Sequence, residues 1–315
     1  SSSGQDTLFG FPATRTHGEL KLAISSRPLT PSGFGLELRC SKLSKLGKED
    51  LNAVLEDFHE AGGLLLIRNQ QQISRRQLVD FVGIFGQVEL NEKYNPAFLE
   101  PDYPELLRIG NTKQNGEYTA LFIKADPPPL MWHTDDSFQH PQPAGSCLFC
   151  VHTPPEGAAT GFAGMHASYE ALAENTRHDI DEMEAIHSYD YLNELLRMKS
   201  PHRPPLSEEL KQQIPPIVRP LVAQHPVSKK KGLYLPVCHI MSILGLAEEE
   251  ARPLLNELQR HMTQPSFTHM HNWQPGDLVI WDNRSTLHAP TPFDDDKHER
   301  LMYRLTFGGE QIVGF

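Results

Sequence analysis

The chain has 315 residues, 38% of them hydrophobic, and carries 29 Lys and Arg against 40 Asp and Glu, a net charge of −11. Length and apolar content suffice for one large core, and β-rich barrels of this size commonly form one domain, so a single domain over 1–315 is expected. The acidic balance, with no basic run longer than Lys229-Lys230-Lys231, argues against a nucleic-acid or anionic-membrane partner, and no apolar run approaches the ~20 residues of a membrane span.

The start, Ser1-Ser2-Ser3-Gly4-Gln5, lacks a charged-then-apolar signal pattern, and without an initiator Met it leaves room for a removed targeting segment. Four cysteines are too few for a disulfide scaffold, which fits a reducing compartment and a cytoplasmic protein.

In chain order, Glu19 to Ile24 and Gly35 to Leu38 alternate like strands. Leu51, Val54, Leu55 and Phe58 recur at helical spacing and stop at Gly62-Gly63. Leu64 to Ile67 reads as a fully buried strand. Ser74 then caps a second amphipathic helix whose inner face is Leu78, Phe81, Val82 and Phe85, closed by Gly86.

Leu106 to Gly110 and Tyr118 to Lys124 read as strands joined by a turn at Asn115-Gly116. Pro127-Pro128-Pro129 interrupts pairing and delivers the chain as an irregular loop to Trp132-His133-Thr134-Asp135-Asp136.

Residues two apart on a strand share a face, so His133 and Asp135 can offer an imidazole nitrogen and a carboxylate oxygen to one metal ion. His288, in the cluster Trp281-Asp282-Asn283-Arg284-Ser285-Thr286-Leu287-His288, is the candidate third ligand. Two His and one carboxylate on one face of an octahedron leave three open positions, the facial-triad set of non-heme Fe(II) oxygenases.

Ala144 to Val151 is a buried strand that contains Cys147 and Cys150. Strand positions three apart face opposite sides, so this C-x-x-C is neither a zinc knuckle nor a redox pair. From about His166 to Pro216 the pattern is helical and polar, a natural lid inserted between barrel strands. Val218 to Val222 and Gly232 to Leu235 resume the strands. Ala251, Leu254, Leu255, Leu258 and Met262 mark another helix, with Pro253 near its start or as a kink.

Ser266 to Trp273 and Leu278 to Trp281 are strands around a tight turn at Gln274-Pro275-Gly276-Asp277. Asp294-Asp295-Asp296 reads as a solvated loop tip. Beyond His288, Arg300, Met302 and Arg304 share one strand face, so two guanidinium groups can point into a common cavity and bind carboxylates. The bland alternative is two surface or salt-bridged arginines.

At this point the chain resembles a known family. Trp132-His133-Thr134-Asp135, Pro143-Ala144-Gly145, Thr160, Trp273-Gln274-Pro275-Gly276-Asp277, Trp281-Asp282-Asn283-Arg284, His288 and the two arginines together resemble the taurine dioxygenase and 2,4-dichlorophenoxyacetate dioxygenase family of Fe(II)/2-oxoglutarate oxygenases. The resemblance runs from about Leu20 to Gly308. It implies a mainly β fold with flanking helices and a double-stranded β-helix core, the cupin-like jelly roll, which the strand-rich pattern also fits.

The resemblance further implies Fe(II) on His133, Asp135 and His288, with 2-oxoglutarate as co-substrate and O2 as oxidant. Arg300 and Thr160 match the pair that holds the distal carboxylate of 2-oxoglutarate. Arg304 matches the arginine that grips an acidic group on the primary substrate. The His288 to Arg300 spacing is one residue longer than in the taurine enzyme.

Oxidation of a substrate C–H bond with release of succinate and CO2 is then the expected reaction, by default a hydroxylation, with desaturation or cyclisation as variants. Halogenation is disfavoured because Asp135 fills the position a halide would need. Asn91, Tyr94 and Met131 fall in stretches expected to contact a small acidic substrate. Asn91 replaces a His of the taurine enzyme and Pro128-Pro129-Leu130-Met131 replaces its Asn, which argues against taurine and for an acid with a hydrophobic body beside Leu130 and Met131. The family often forms homo-oligomers.

Two other readings compete. A zinc hydrolase could use the same His, Asp and His to activate water, but has no need of Arg300 or Thr160. A non-catalytic jelly-roll module would bind the acid without consuming oxygen.

Overall fold

The computed structural model describes residues 25–125, 129, 131–200 and 202–312. The expected strand Glu19 to Ile24, the Pro127-Pro128 bend, Leu130 and Pro201 lie outside the described residues. The first part of the chain supplies β1 (Ser25–Pro28), β2 (Leu36–Arg39), α1 (Lys48–Glu60), β3 (Leu64–Ile67), α2 (Arg75–Val82), β4 (Leu99–Glu100), β5 (Tyr103–Gly110), β6 (Lys113–Gln114) and β7 (Glu117–Tyr118).

After the metal-ligand segment come β8 (Gly145–His152), β9 (Thr160–Gly164), α3 (Met165–Glu170), α4 (Glu174–Ile180), β10 (Glu184–His187), α5 (Tyr189–Lys199) and α6 (Glu208–Gln213). The last part holds β11 (Ile217–Pro220), β12 (Val222–Gln224), β13 (Lys231–Leu233), β14 (Ile240–Ile243), α7 (Glu248–Met262), β15 (Thr268–His271), β16 (Leu278–Asp282), β17 (Thr286–Pro290) and β18 (Leu301–Phe307).

An eight-stranded sheet runs β1-β2-β3-β16-β8-β18-β5-β4, and a three-stranded sheet runs β15-β9-β17. Phe162 of β9 packs with Leu64, Leu66, Leu148, Cys150, Val279, Trp281 and Met302 of the large sheet, so the two sheets face each other across one core. On the outer face, Leu65, Ile67, Cys147, Phe149, Ile280 and Leu305 pack beneath Val54 and Phe58 of α1 and Leu78, Phe81 and Val82 of α2. Both faces are therefore covered, which is why β3 and β8 are near-continuous apolar runs without alternation. Cys147 and Cys150 do fall on opposite faces, and burial drives the Cys150 thiol up to about 12.

Ser74 caps α2 by a reciprocal box: its hydroxyl accepts from Gln77 N–H and Gln77 Oε1 accepts from Ser74 N–H. The helix ends at Gly83 rather than Gly86, the following turn being too tight to continue it. The hairpin turn at Asn115-Gly116 is present, with φ of 52° and 84°. Tyr118 to Lys124, however, is not a strand: past β7 the chain returns to β5 only at Leu121, bonded to Arg108 O and Gly110 N.

The 166–216 segment is not wholly helical either. Four helices flank β10, which pairs with β11 and β14. A four-residue run carries too little periodicity to be told from helix. Among the described residues no helix is long and apolar enough to cross a membrane.

Gly63 links this scaffold to the site. Its φ is 79°, and a Cβ there would lie 2.4 Å from Ser285 Oγ and 2.7 Å from Asp282 Cβ, on the turn that leads to His288. Gly63→Ala is expected to cost about 2–4 kcal/mol and to weaken metal binding, because both the backbone and the turn must shift. Urea denaturation and metal titration of the variant check this.

The fold also buries histidines. Burial lowers His166 to about 4, His187 to about 3 and His269 to about 4. The unfolded chain takes up a proton at each near pH 6.5 while the folded chain does not. Their contribution to stability is therefore complete above that pH and is lost as the pH falls towards 4 and 3. The metal-free protein is expected to lose roughly 10 °C of thermal midpoint between pH 7 and pH 5. A flat melting profile over that range would contradict the buried neutral assignment.

Candidate metal centre and acid-binding cavity

β17 carries His288 into the space between the sheets, and a single antiparallel bridge sets His133 beside it. His133 N lies 3.0 Å from His288 O, and His288 N lies 2.7 Å from His133 O. The strand expected from Trp132 to Asp136 goes no further than this bridge: Asp136 has φ 51° and the chain turns.

Asp135 reaches the same point from the turn, held by Gln142 Nε2 on its carbonyl at 2.8 Å and by Ser146 Oγ on Oδ2 at 2.7 Å. Thr134 Oγ1 anchors the segment to Asn283 O at 2.6 Å. The ligand atoms of His133, Asp135 and His288 all lie within 4.8 Å of one another.

The protonation states suit a divalent cation. His133 Nδ1 is 3.0 Å from Met131 O and must donate to it, which leaves Nε2 with its lone pair. Burial and the neighbouring His133 push His288 down to about 3, so its imidazole is neutral at physiological pH. Burial alone would raise Asp135, but Arg304, the two histidines and the Ser146 hydroxyl outweigh it and hold the carboxyl well below the usual range. A neutral His288 imidazole, the Nε2 of His133 left open by its Nδ1 hydrogen bond and an ionised carboxylate on one point are a fitting donor set for Fe(II).

A second cluster, His59, His225 and Asp282, also brings its ligand atoms within 4.8 Å of one another. Its carboxylate is already spent. Arg284 Nε donates to Asp282 Oδ1 at 2.8 Å and Nη2 to Oδ2 at 2.6 Å, while His225 Nε2 lies 3.0 Å from Oδ2. His225 Nδ1 accepts from Val227 N and Ser228 N, so its proton sits on Nε2, directed at Asp282. This cluster clamps the turn before His288.

Arg300 and Arg304 flank Met302, which is fully buried in the inter-sheet core. Arg304 Nη2 pairs with Asp135 Oδ2 at 2.9 Å, placing it at the metal site, and its Nε has no partner. Arg300 has no ion pair among the described residues, its Nε is buried without a partner, and burial lowers its guanidinium to about 10. Such a group is destabilising unless an anion joins it. Thr160, 3% exposed, accepts from Trp273 Nε1 at 3.0 Å, which leaves its own O–H free to donate.

The expected substrate contacts fare unevenly. Tyr94 is within electrostatic reach of Arg304. Asn91 is buried and its amide donates to Pro104 O and Glu105 O, so that group is not offered to a ligand. Met131 lines a cavity of about 640 Å³ between α5 and α7, shared with Trp132, Tyr191 and Leu195, that none of the metal ligands lines. Ser146, Gln142 and Asn283, which hold the ligand segment in place, had no short-range signature beyond the Asn283 cluster.

Residues 25–306 match the family described as "Taurine catabolism dioxygenase TauD, TfdA family". An alpha-ketoglutarate-dependent 2,4-dichlorophenoxyacetate dioxygenase of Burkholderia sp. (strain RASC) is 32% identical over 91% of this chain and 95% of its own length. A pentalenolactone F synthase of Streptomyces arenae is 27% identical over 73% of this chain and 78% of its own. Among solved structures, AAD-2 in complex with Mn(II) and N-oxalylglycine superposes with a TM-score of 0.74 at 29% identity, over 93% of this chain and all of that one. With the jelly-roll fold, the His, Asp and His cluster and the match over most of its length, the chain belongs to the TauD/TfdA dioxygenase family.

Proposed function

We propose that this protein oxidises a C–H bond of a small carboxylate- or sulfonate-bearing substrate at an Fe(II) ion held by His133, Asp135 and His288. Family membership makes it a 2-oxoglutarate-dependent dioxygenase, with Fe(II), 2-oxoglutarate and O2 as its cofactor and co-substrates. When bound, these supply the oxidising power, and 2-oxoglutarate leaves as succinate and CO2.

The protein's part is position and exclusion of water. His133 presents Nε2 because Met131 O holds the other nitrogen, and Ser146 leaves Asp135 Oδ1 free to ligate. Arg300 and the free O–H of Thr160 anchor the distal carboxylate of 2-oxoglutarate. Arg304 holds the acid of the primary substrate. Arg300, half-buried with its Nε shielded from water and with no ion pair among the described residues, carries this reading, since a guanidinium in that position calls for a bound carboxylate, which a zinc hydrolase would not need.

We read α5 as the lid, since Tyr189 at its start packs on Phe138 of the metal-ligand turn with ring centroids 4.9 Å apart. The four free cysteines support a reducing, cytoplasmic setting. Relatives named for phenoxy acids and sulfate esters support an acidic substrate. Anaerobic addition of Fe(II) and then 2-oxoglutarate should give the weak visible charge-transfer band of the chelate, and carboxylic and sulfonic acids should then be screened for stimulated succinate release. Absence of the band with metal bound would remove the oxygenase assignment.

A further inference from the structure

Thr160 opens β9, the middle strand of the small sheet, and its backbone is fixed from both sides, paired with His271 of β15 and Pro290 of β17. The freedom that remains is rotation of the side chain and of its hydroxyl hydrogen. One contact restricts both: Trp273 Nε1 lies 3.0 Å from Thr160 Oγ1. An indole N–H can only donate, so the Thr160 oxygen must accept and its own hydrogen is directed elsewhere. Among the described residues no acceptor takes that hydrogen, although Thr160 is buried.

Trp273 is itself held in place. It is buried in the core between the two sheets, and the His271 ring meets it edge-on with centroids 4.5 Å apart. The turn that follows is closed by Asp277 Oδ2, which accepts from Gln274 N at 2.9 Å and from Arg68 Nη1 at 2.8 Å. Trp281, in the same core, spends its N–H on Asn283 Oδ1 only two residues on. Packing alone does not require Trp273 to reach across to another strand, since a Phe would fill core space with no donor to satisfy.

A hydroxyl obliged to donate suits an acceptor-only group, and an ionised carboxylate is one. We infer that Trp273 is a positioning residue for the co-substrate: by occupying the acceptor side of Thr160 it commits that hydroxyl to donate to the distal carboxylate of 2-oxoglutarate. This rests on the reading of Thr160 given above. Without the indole N–H the hydroxyl turns freely and for part of the time presents a lone pair to the carboxylate.

The test removes the N–H and keeps the bicyclic ring, by placing 3-benzothienylalanine at position 273 through amber suppression, with Trp273→Phe as the genetic counterpart. N-oxalylglycine is titrated calorimetrically into the Mn(II)-loaded protein, and KM and kcat for 2-oxoglutarate are read from uncoupled succinate release with Fe(II). Thr160→Val, which loses the donor itself, should weaken N-oxalylglycine binding by about 10- to 100-fold, the range for a hydrogen bond to a charged group. The benzothienyl replacement should weaken it by about 3- to 10-fold, raise KM to match and leave kcat within about 2-fold, because the reacting end of the co-substrate is untouched. In a Thr160→Val background the same replacement should change affinity by less than about 2-fold, since its effect passes through the hydroxyl.

Affinity unchanged by the benzothienyl replacement, a fall in kcat as large as the rise in KM, or losses that multiply in the double replacement overturn the inference and leave Trp273 a packing residue. If one of these occurs while Thr160→Val still weakens binding, the carboxylate anchor stands and only the positioning role is rejected. If Thr160→Val binds N-oxalylglycine as wild type does, the anchor reading falls and the inference with it.

Discussion

Replacement of His288 by alanine is expected to lower 2-oxoglutarate turnover by about 10³-fold or more, the loss of one of three ligands being far larger than the 10–100-fold typical of residues that only orient them. The imidazole is neutral and aimed at Asp135, with Nε2 3.7 Å from Oδ1, so its removal leaves two donors where three converge. Ser146→Ala supplies the contrast. It removes the 2.7 Å hydrogen bond that orients Asp135 without touching the donor set, and should fall within the smaller range. Anaerobic Fe(II) titration and succinate release measure both, and equal losses in the two variants would mean that His288 is not a ligand.

The second large effect is at Arg300 and has opposite signs in the free and bound protein. Arg300→Met removes a half-buried guanidinium whose Nε is shielded and which has no ion pair among the described residues, so the unliganded protein should melt at the same temperature or higher. The KM for 2-oxoglutarate should rise about 10²- to 10³-fold, equivalent to roughly 3–4 kcal/mol for a buried charge-assisted contact. Wild type at a hundred times its Kd should gain about 2.7 kcal/mol from 2-oxoglutarate, and the variant almost none at that concentration. A variant that melts much lower yet still responds to 2-oxoglutarate would show that Arg300 is a structural residue.

Much of the scaffold was legible in the residues. The helix at Lys48–Glu60, its glycine stop, the Ser74 cap and the buried strands Leu64–Ile67 and Gly145–His152 all follow from side-chain type and local spacing. Strand Glu184–His187 and the end of the Tyr118 to Lys124 segment did not, because a short apolar run pairs or not according to which edge lies beside it.

The site divides in the same way. Ligand chemistry is a property of residue type, so His133, Asp135, His288 and the two arginines could be chosen from the sequence and its resemblance to a family. That Asn91 spends its amide on backbone carbonyls and that Met131 faces a separate cavity could not be read there.

The sequence by itself determined the candidate ligand set, the two arginines proposed to bind carboxylates and the β-rich pattern, since each depends on residue identity or on neighbours a few positions away. Only the tertiary structure decided which atoms are free. Hydrogen-bond and ion-pair partners such as Ser146 to Asp135, Arg304 to Asp135 and His225 to Asp282 come from segments brought together by sheet register, and a buried polar atom acts on a ligand only when no such partner has taken it.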